Sequence, residues 1–163
     1  MPDPSAPEQW LLLAYRLPRV PSTPRSSVWR KVKRLGAAQL ADGLVAVPAD
    51  ARTREALEWI ADEVIEARGE AMVWLGRPAD ATGLATITAR MREAIGEEYR
   101  AVADEAVATR DADPPTRRRV LARLRRELQR IEARDFFPPP ERDTARSAVE
   151  DLAAARADTG AHT

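Results

Sequence analysis

The chain has 163 residues, 26 basic and 26 acidic side chains, one histidine and no cysteine. This length suits one ordinary domain, or a small module with an extension, and it can bury a core without covalent cross-links. The lack of cysteine excludes disulfides and thiol nucleophiles, and the single histidine, His162, excludes a histidine-based triad or a multi-histidine metal site within one chain.

The first elements in chain order are a strand and a helix. Residues 1–7 are polar and rich in proline, so we expect a disordered tail there. The apolar run at residues 10–15 predicts the first strand. Thr23 is expected to cap a helix whose first position is Pro24, and Gly36 is expected to end it.

A hairpin, a second helix and a fourth strand follow. Asp42-Gly43 lies between two apolar runs and predicts a type I′ turn, in which both residues have positive φ. Asp50 is expected to cap the second helix and Gly69 to end it, before a strand at residues 71–75.

The chain beyond residue 78 predicts helices only. Apolar residues recur at helical spacing through one long helix, which Pro114 and Pro115 interrupt, and Thr116 is expected to cap the next helix. That helix ends near Phe136 and Phe137, and a short alanine-rich helix follows.

These elements together predict an α+β fold. A ferredoxin-like β-α-β-β-α-β module occupies residues 8–78. An antiparallel helical hairpin and a short C-terminal helix form a helical extension over residues 79–157, and residues 158–163 are expected to be a disordered tail.

Two clusters of basic residues carry the functional prediction. Residues 16–34 contain seven basic side chains and no acid, and a shared helix face there suits contacts with phosphates. The alternative is an ordinary solvated helix face. The DNA-binding candidates in this cluster are Arg25, Arg30, Lys31, Lys33 and Arg34. The anion-binding candidates are Arg16, Arg19 and Arg25.

The second cluster is a stripe of arginines in the second helix of the hairpin. Its DNA-binding candidates are Arg119, Arg123, Arg126, Arg130 and Arg134. The alternative is a salt-bridged helix, with Glu93, Glu97 and Asp104 as candidate partners. If the apolar stripes of both helices form the seam, those acids point away from the arginines. The same face could also bind an acidic protein surface or chromate-like dianions.

The other chemistry-bearing residues favour structural roles. The four tryptophans, Trp10, Trp29, Trp59 and Trp74, are expected in the core, and only Trp29 lies beside a basic residue as base stacking would need. No metal site, cofactor-binding motif or catalytic group is predicted, so we expect no enzyme activity. No signal peptide or membrane span is apparent, which predicts a cytoplasmic protein.

The order of several segments resembles the N-terminal domain of ChrB, a bacterial chromate-resistance regulator family. The segments are WLLLAYRLP at residues 10–18, VWRKVKRLG at 28–36, VAVP at 45–48, TREALEW at 53–59 and RDFFP at 134–138. The resemblance implies a transcriptional regulator that binds double-stranded operator DNA and responds to chromate as its effector. Larger members continue into a second domain that this sequence does not contain. The resemblance therefore does not extend to any sensing function of that domain.

The module is more distantly similar to the central domain of PaaX-type repressors and to the dimeric CRISPR adaptation subunit. The CRISPR subunit has an acid just after its first strand, where metal-dependent phosphodiester cleavage was proposed. Here that position reads Arg16-Leu17-Pro18-Arg19, and arginines cannot hold the cation, so we predict no nuclease activity.

The strand edges and the apolar first strand favour a homodimer. The competing functional interpretation is a non-catalytic dimerisation or protein-interaction domain that does not bind DNA.

Overall fold

The computed structural model describes residues 7–158, with side chains to residue 155. The predicted disordered tails, and His162, lie outside this range except for residues 7 and 158. The chain divides into two compact units between Met91 and Arg92, inside a long helix.

The first unit contains a four-stranded antiparallel sheet in the order β2-β3-β1-β4. The strands are β1 (Trp10–Arg16), β2 (Ala38–Ala41), β3 (Leu44–Pro48) and β4 (Glu70–Gly76). Leu13 of β1 lies opposite Val45 on one side and Val73 on the other. The two crossovers place β1 and β3 side by side at the centre, as the ferredoxin-like order predicts.

Two helices, α1 (Thr23–Leu35) and α2 (Ala51–Glu66), supply the other half of this core. Val28 of α1 and Leu57 of α2 are fully buried, as are Leu13 and Val47 of the sheet. The alternation of side chains along the strands turns every second apolar residue towards the helices.

The helix ends confirm part of the predicted capping. Asp50 accepts a hydrogen bond from the Thr53 backbone N–H at 2.7 Å, and Thr53 Oγ1 accepts one from the Asp50 N–H at 2.9 Å, which completes a capping box. Gly36 ends α1 with φ +82°. The N-cap of α1 is Ser22, and not Thr23 as predicted, and its side chain makes no capping hydrogen bond.

The end of α2 also differs from the prediction. Its C-cap is Ala67, and Arg68 takes the left-handed conformation with φ +65°. The Arg68 and Gly69 N–H groups donate to the carbonyls of Ile65 and Val64 at 3.0 and 2.8 Å, the two bonds of a Schellman motif. Glycine is instead needed at 69 because a Cβ there would lie 2.3 Å from the Arg16 carbonyl oxygen.

The hairpin between β2 and β3 forms where predicted but with a different turn. Gly43 has φ +73°, whereas Asp42 does not have positive φ, so the turn is not type I′. The pairing register shifts between Gln39 and Ala41, which shows an irregularity in β2. A Cβ at Gly43 would lie 2.3 Å from the Tyr15 carbonyl oxygen, so the close backbone approach also requires glycine.

Three helices, α3 (Ala81–Ala108), α4 (Pro114–Ala133) and α5 (Glu141–Asp158), complete the described chain. In the second unit, Tyr99, Leu124 and Leu152 contribute one fully buried side chain from each helix to a common core. The N-cap of α4 is Asp113, which accepts hydrogen bonds from the backbone and hydroxyl of Thr116. Thr116 is therefore not the cap that we predicted.

Candidate anion and nucleic-acid interface

An arginine-lined concavity lies at the end of β1 in the first unit. It has a volume of about 480 Å³, and its lining includes Arg16, Arg19, Arg25 and Arg68 together with the acidic Glu70. The structure thus brings together the three residues predicted to bind an anion. Arg68, the fourth, was missed because it is 43 residues beyond Arg25 in the sequence and joins the cluster only through the fold.

One of the four guanidinium groups has an acidic partner. Arg16 and Glu70 are directly opposite on β1 and β4, and the Arg16 Nη2 lies 2.7 Å from the Glu70 Oε2. Both side chains are more than three-quarters exposed, so this pair contributes at most about 1 kcal/mol. Arg19, Arg25 and Arg68 are exposed and form no ion pair with any residue in the described part of the chain.

Arg25 also acts on a neighbouring phenol. Burial raises the pKa of Tyr15, and the positive charge of Arg25 partly counteracts that increase. Arg25 belongs to the first turn of α1, which contains no acid. The concavity therefore collects positive charge from a strand end, a loop, the start of α1 and the end of α2.

The rest of the predicted α1 cluster is exposed but not equally available. Lys31 pairs with Glu63 of α2, which also accepts a hydrogen bond from Ser27 at 2.6 Å. These two hydrogen bonds, the one from Lys31 first, hold the pKa of Glu63 below its ordinary value. Lys33 lies over the ring of Trp29, with its Nζ 4.5 Å from the ring centroid.

The two remaining α1 candidates are Arg30 and Arg34. Arg30 donates to the Ser26 carbonyl at 3.4 Å, and Arg34 lines a groove of about 680 Å³ between α1 and α2. Both side chains are exposed and form no ion pair within residues 7–158. They are the members of the α1 cluster best placed to meet a phosphate.

The prediction that all four tryptophans lie in the core is wrong for three of them. Trp10 is buried, whereas Trp29, Trp59 and Trp74 are 50%, 69% and 56% exposed. Trp29 and Trp59 follow the buried Val28 and Leu57 by one and two residues, which rotates them 100° and 200° around their helices. Trp74 faces away from α1 and α2 on the open side of the sheet.

The arginine stripe of α4 divides into paired and unpaired members. Arg134 forms a bidentate salt bridge with Glu98, in which Nη1 and Nη2 donate to Oε1 and Oε2 at 2.7 and 2.5 Å. Arg123 pairs with Glu105. Arg130 lies 3.4 Å from Glu127 of its own helix. These three candidates are therefore engaged within the unit.

The acids involved are not the predicted ones. Glu93, Glu97 and Asp104 are exposed, and no ion pair joins them to α4 in the described chain. Glu98 and Glu105 each lie one residue beyond a predicted partner, and that step turns them 100° towards the flank of α4. The argument against a salt-bridged helix therefore fails for Arg123 and Arg134.

The outward face of α4 remains strongly basic. Arg119 and Arg126, both predicted, are exposed there, and so are Arg118 and Arg125, which the stripe pattern missed. None of the four forms an ion pair with a described residue. Positions 118 and 125, like 119 and 126, are seven apart and so lie two helical turns apart on one face, a signal that was readable from the sequence.

Two classes of feature are absent from residues 7–158. No group of three or more acidic, histidine or cysteine side chains is arranged to hold a metal ion there. None of the helices in that range is both long enough and apolar enough to cross a membrane.

The fold and these surfaces define a ferredoxin-like module followed by a helical unit whose exposed face is rich in arginine. The family model "Protein ChrB, N-terminal" matches residues 25–111. Protein ChrB of Cupriavidus metallidurans is 33% identical over 138 residues, which are 83% of this chain and 43% of that protein. The chain belongs to the ChrB family, the chromate-resistance family that its order of motifs resembles, and spans less than half the length of this relative.

Proposed function

We propose that the chain is a ChrB-like transcriptional regulator of chromate resistance, which binds double-stranded operator DNA and responds to chromate. It acts in the cytoplasm, where the DNA is, and has no catalytic role. The observation that carries the proposal is the outward face of α4, where Arg118, Arg119, Arg125 and Arg126 are exposed and form no ion pair with a residue of the described chain.

This face suits the DNA backbone for an electrostatic reason. Arginines already held by acids would have to give up those partners before meeting a phosphate, whereas unpaired ones only release water and exchange places with bound cations. Arg118 and Arg125 are about 10 Å apart along the helix axis, given the rise of 1.5 Å per residue, and so are Arg119 and Arg126. The face can therefore contact several phosphates together.

Arg30 and Arg34 of α1 offer a second set of phosphate contacts in the first unit. Lys31 contributes less than we expected because Glu63 holds it. Of the ten predicted DNA-binding residues, Arg119 and Arg126 therefore rank first, with Arg25, Arg30 and Arg34 next.

We further propose a homodimer formed through β4. This strand lies at one end of the sheet, and no strand among the described residues pairs with its outer edge. Met72, Trp74 and Leu75 are each more than half exposed along it. A second copy could pair its own β4 there, which would satisfy the edge hydrogen bonds and bury these side chains.

The alternative function is a non-catalytic dimerisation or protein-interaction domain without DNA binding. Trp59 favours it, since this large side chain is 69% exposed in a groove that also contains Lys31, Asp62 and Glu66. Exposed tryptophan with charges of both signs is typical of a surface that contacts another protein.

Binding to a promoter fragment from upstream of a chromate transporter gene distinguishes the two functions. A regulator gives a linear fall of log K with log salt concentration, with a slope of about −0.9 for each phosphate contacted, and chromate weakens the complex. Folded protein that fails to bind the fragment at low salt would overturn the regulator proposal and favour the alternative.

A further inference from the structure

The arginine-lined concavity has an unusual backbone feature at its edge. Arg68 is the only non-glycine residue with positive φ in the described chain, and it occupies the position after the C-cap of α2 that glycine commonly takes. A side chain in the left-handed region strains the backbone, and glycine would remove that strain. The Arg68 side chain makes no ion pair within residues 7–158 that would offset it.

The surroundings explain what the Arg68 side chain is placed to do. Gly69 allows the end of α2 to approach the Arg16 carbonyl closely, and this packing brings Arg68 beside the end of β1. Arg19 and Arg25 line the same concavity from a loop and from α1. Four arginines from four segments therefore line one concavity, and Glu70 is the only carboxylate among its lining residues.

We propose that this concavity binds a small tetrahedral dianion of the sulfate, hydrogen phosphate or chromate type, with Arg68 kept in a strained conformation for that purpose. Guanidinium groups donate paired hydrogen bonds that match the oxygens of such an anion. The inference deepens the proposed function, since a chromate response needs an anion site, but the binding itself requires no DNA.

Glu70 acts as an internal competitor in this site. Its carboxylate pairs with Arg16, and an incoming dianion must displace it or bind beside it. The concave shape favours a free anion over the phosphates of a duplex, which follow an extended line. A DNA phosphate is therefore the alternative source that the experiment has to separate.

The test is calorimetric titration of the full chain with sulfate, hydrogen phosphate and chromate at constant ionic strength. We expect one site per chain, loss of at least tenfold in affinity in Arg19→Ala and Arg68→Gly, and tighter binding in Glu70→Gln. Arg54→Ala is the matched control, since Arg54 is exposed on α2, pairs with Glu58 and lies outside the concavity. It should leave the anion affinity unchanged.

Arg68→Gly provides a second readout that a structural role would not produce. Without anion, we expect its melting temperature to rise by about 2–4 °C, because glycine relieves the strain. An Arg68 that serves folding alone would instead give a lower melting temperature and an unchanged anion affinity.

Three results would overturn the proposal. They are no saturable anion binding to the folded wild-type chain, equal affinity in wild type and Arg68→Gly, or equal losses in Arg54→Ala and Arg19→Ala. If no anion binds and duplex binding falls in Arg19→Ala, the first of these results would also assign the concavity to DNA. Anion binding that persists in a chain unable to bind the promoter fragment would support this site and count only against the regulator.

Discussion

Replacing Arg119 and Arg126 by alanine should weaken promoter binding far more than the loss of two positive charges elsewhere. Both side chains are exposed on the outward face of α4 and form no ion pair within residues 7–158. Each phosphate contact releases about 0.9 of a bound cation, so the double variant should lower the salt slope by about 1.8. At about 0.1 M salt the same relation gives about eightfold in affinity for each contact, or about 60-fold for both.

The assay is fluorescence anisotropy of a labelled promoter fragment, recorded between about 50 and 200 mM salt. The matched control is Arg54→Ala/Arg100→Ala, which removes two exposed arginines that are already paired with Glu58 and Glu141. The net charge changes equally in both proteins, so a general electrostatic effect would affect them alike. Circular dichroism checks that each remains folded.

A comparison within α4 sharpens the test. Arg123 belongs to the same sequence stripe, but it pairs with Glu105. Arg123→Ala should therefore reduce the salt slope less than Arg119→Ala does. An unchanged slope in the double variant, or an equal loss in the control, would refute the assignment of this face to DNA.

Three further substitutions each test one structural feature. Asp50→Ala removes the cap on Thr53 and should lower the free energy of unfolding in urea by about 1 kcal/mol, and an unchanged midpoint would contradict the capping argument. Tyr99→Phe removes a 2.7 Å hydrogen bond to Asp135 and should cost about 2 kcal/mol. Burial and Asp135 raise the pKa of Tyr99 well above its ordinary 10.0, so the wild type should lose stability as the pH rises above 10, whereas the phenylalanine variant should lose less. Trp74→Glu places a charge on the exposed edge strand and should shift a dimer to monomers in sedimentation velocity, and a dimer that persists would exclude this edge.

Local patterns in the sequence predicted most of the secondary structure. The order of strands and helices, the cap at Asp50 and the stop at Gly36 all follow from apolar spacing and backbone preferences that act within a few residues. The antiparallel sheet order then followed from the β-α-β-β-α-β order of a ferredoxin-like module. The details of the turn at Asp42 did not, because turn type depends on how the two strands twist against each other.

Local sequence patterns could not predict which side chains of the candidate surfaces are exposed or paired, because that depends on tertiary contacts. Whether Arg123 or Arg126 is free is decided by the rotation of α4 against α3, which the buried packing of Tyr99 and Leu124 fixes. Trp59 has a large apolar side chain of the kind expected in a core, yet its position around the axis of α2 leaves it exposed.

The sequence by itself determined the module, its family and the presence of excess arginine in two regions. Only the tertiary structure decided which arginines remain unpaired and which converge. Arg68 joins Arg16, Arg19 and Arg25 because α2 ends against β1, and a contact between residues so far apart in the chain exists only once the core has packed.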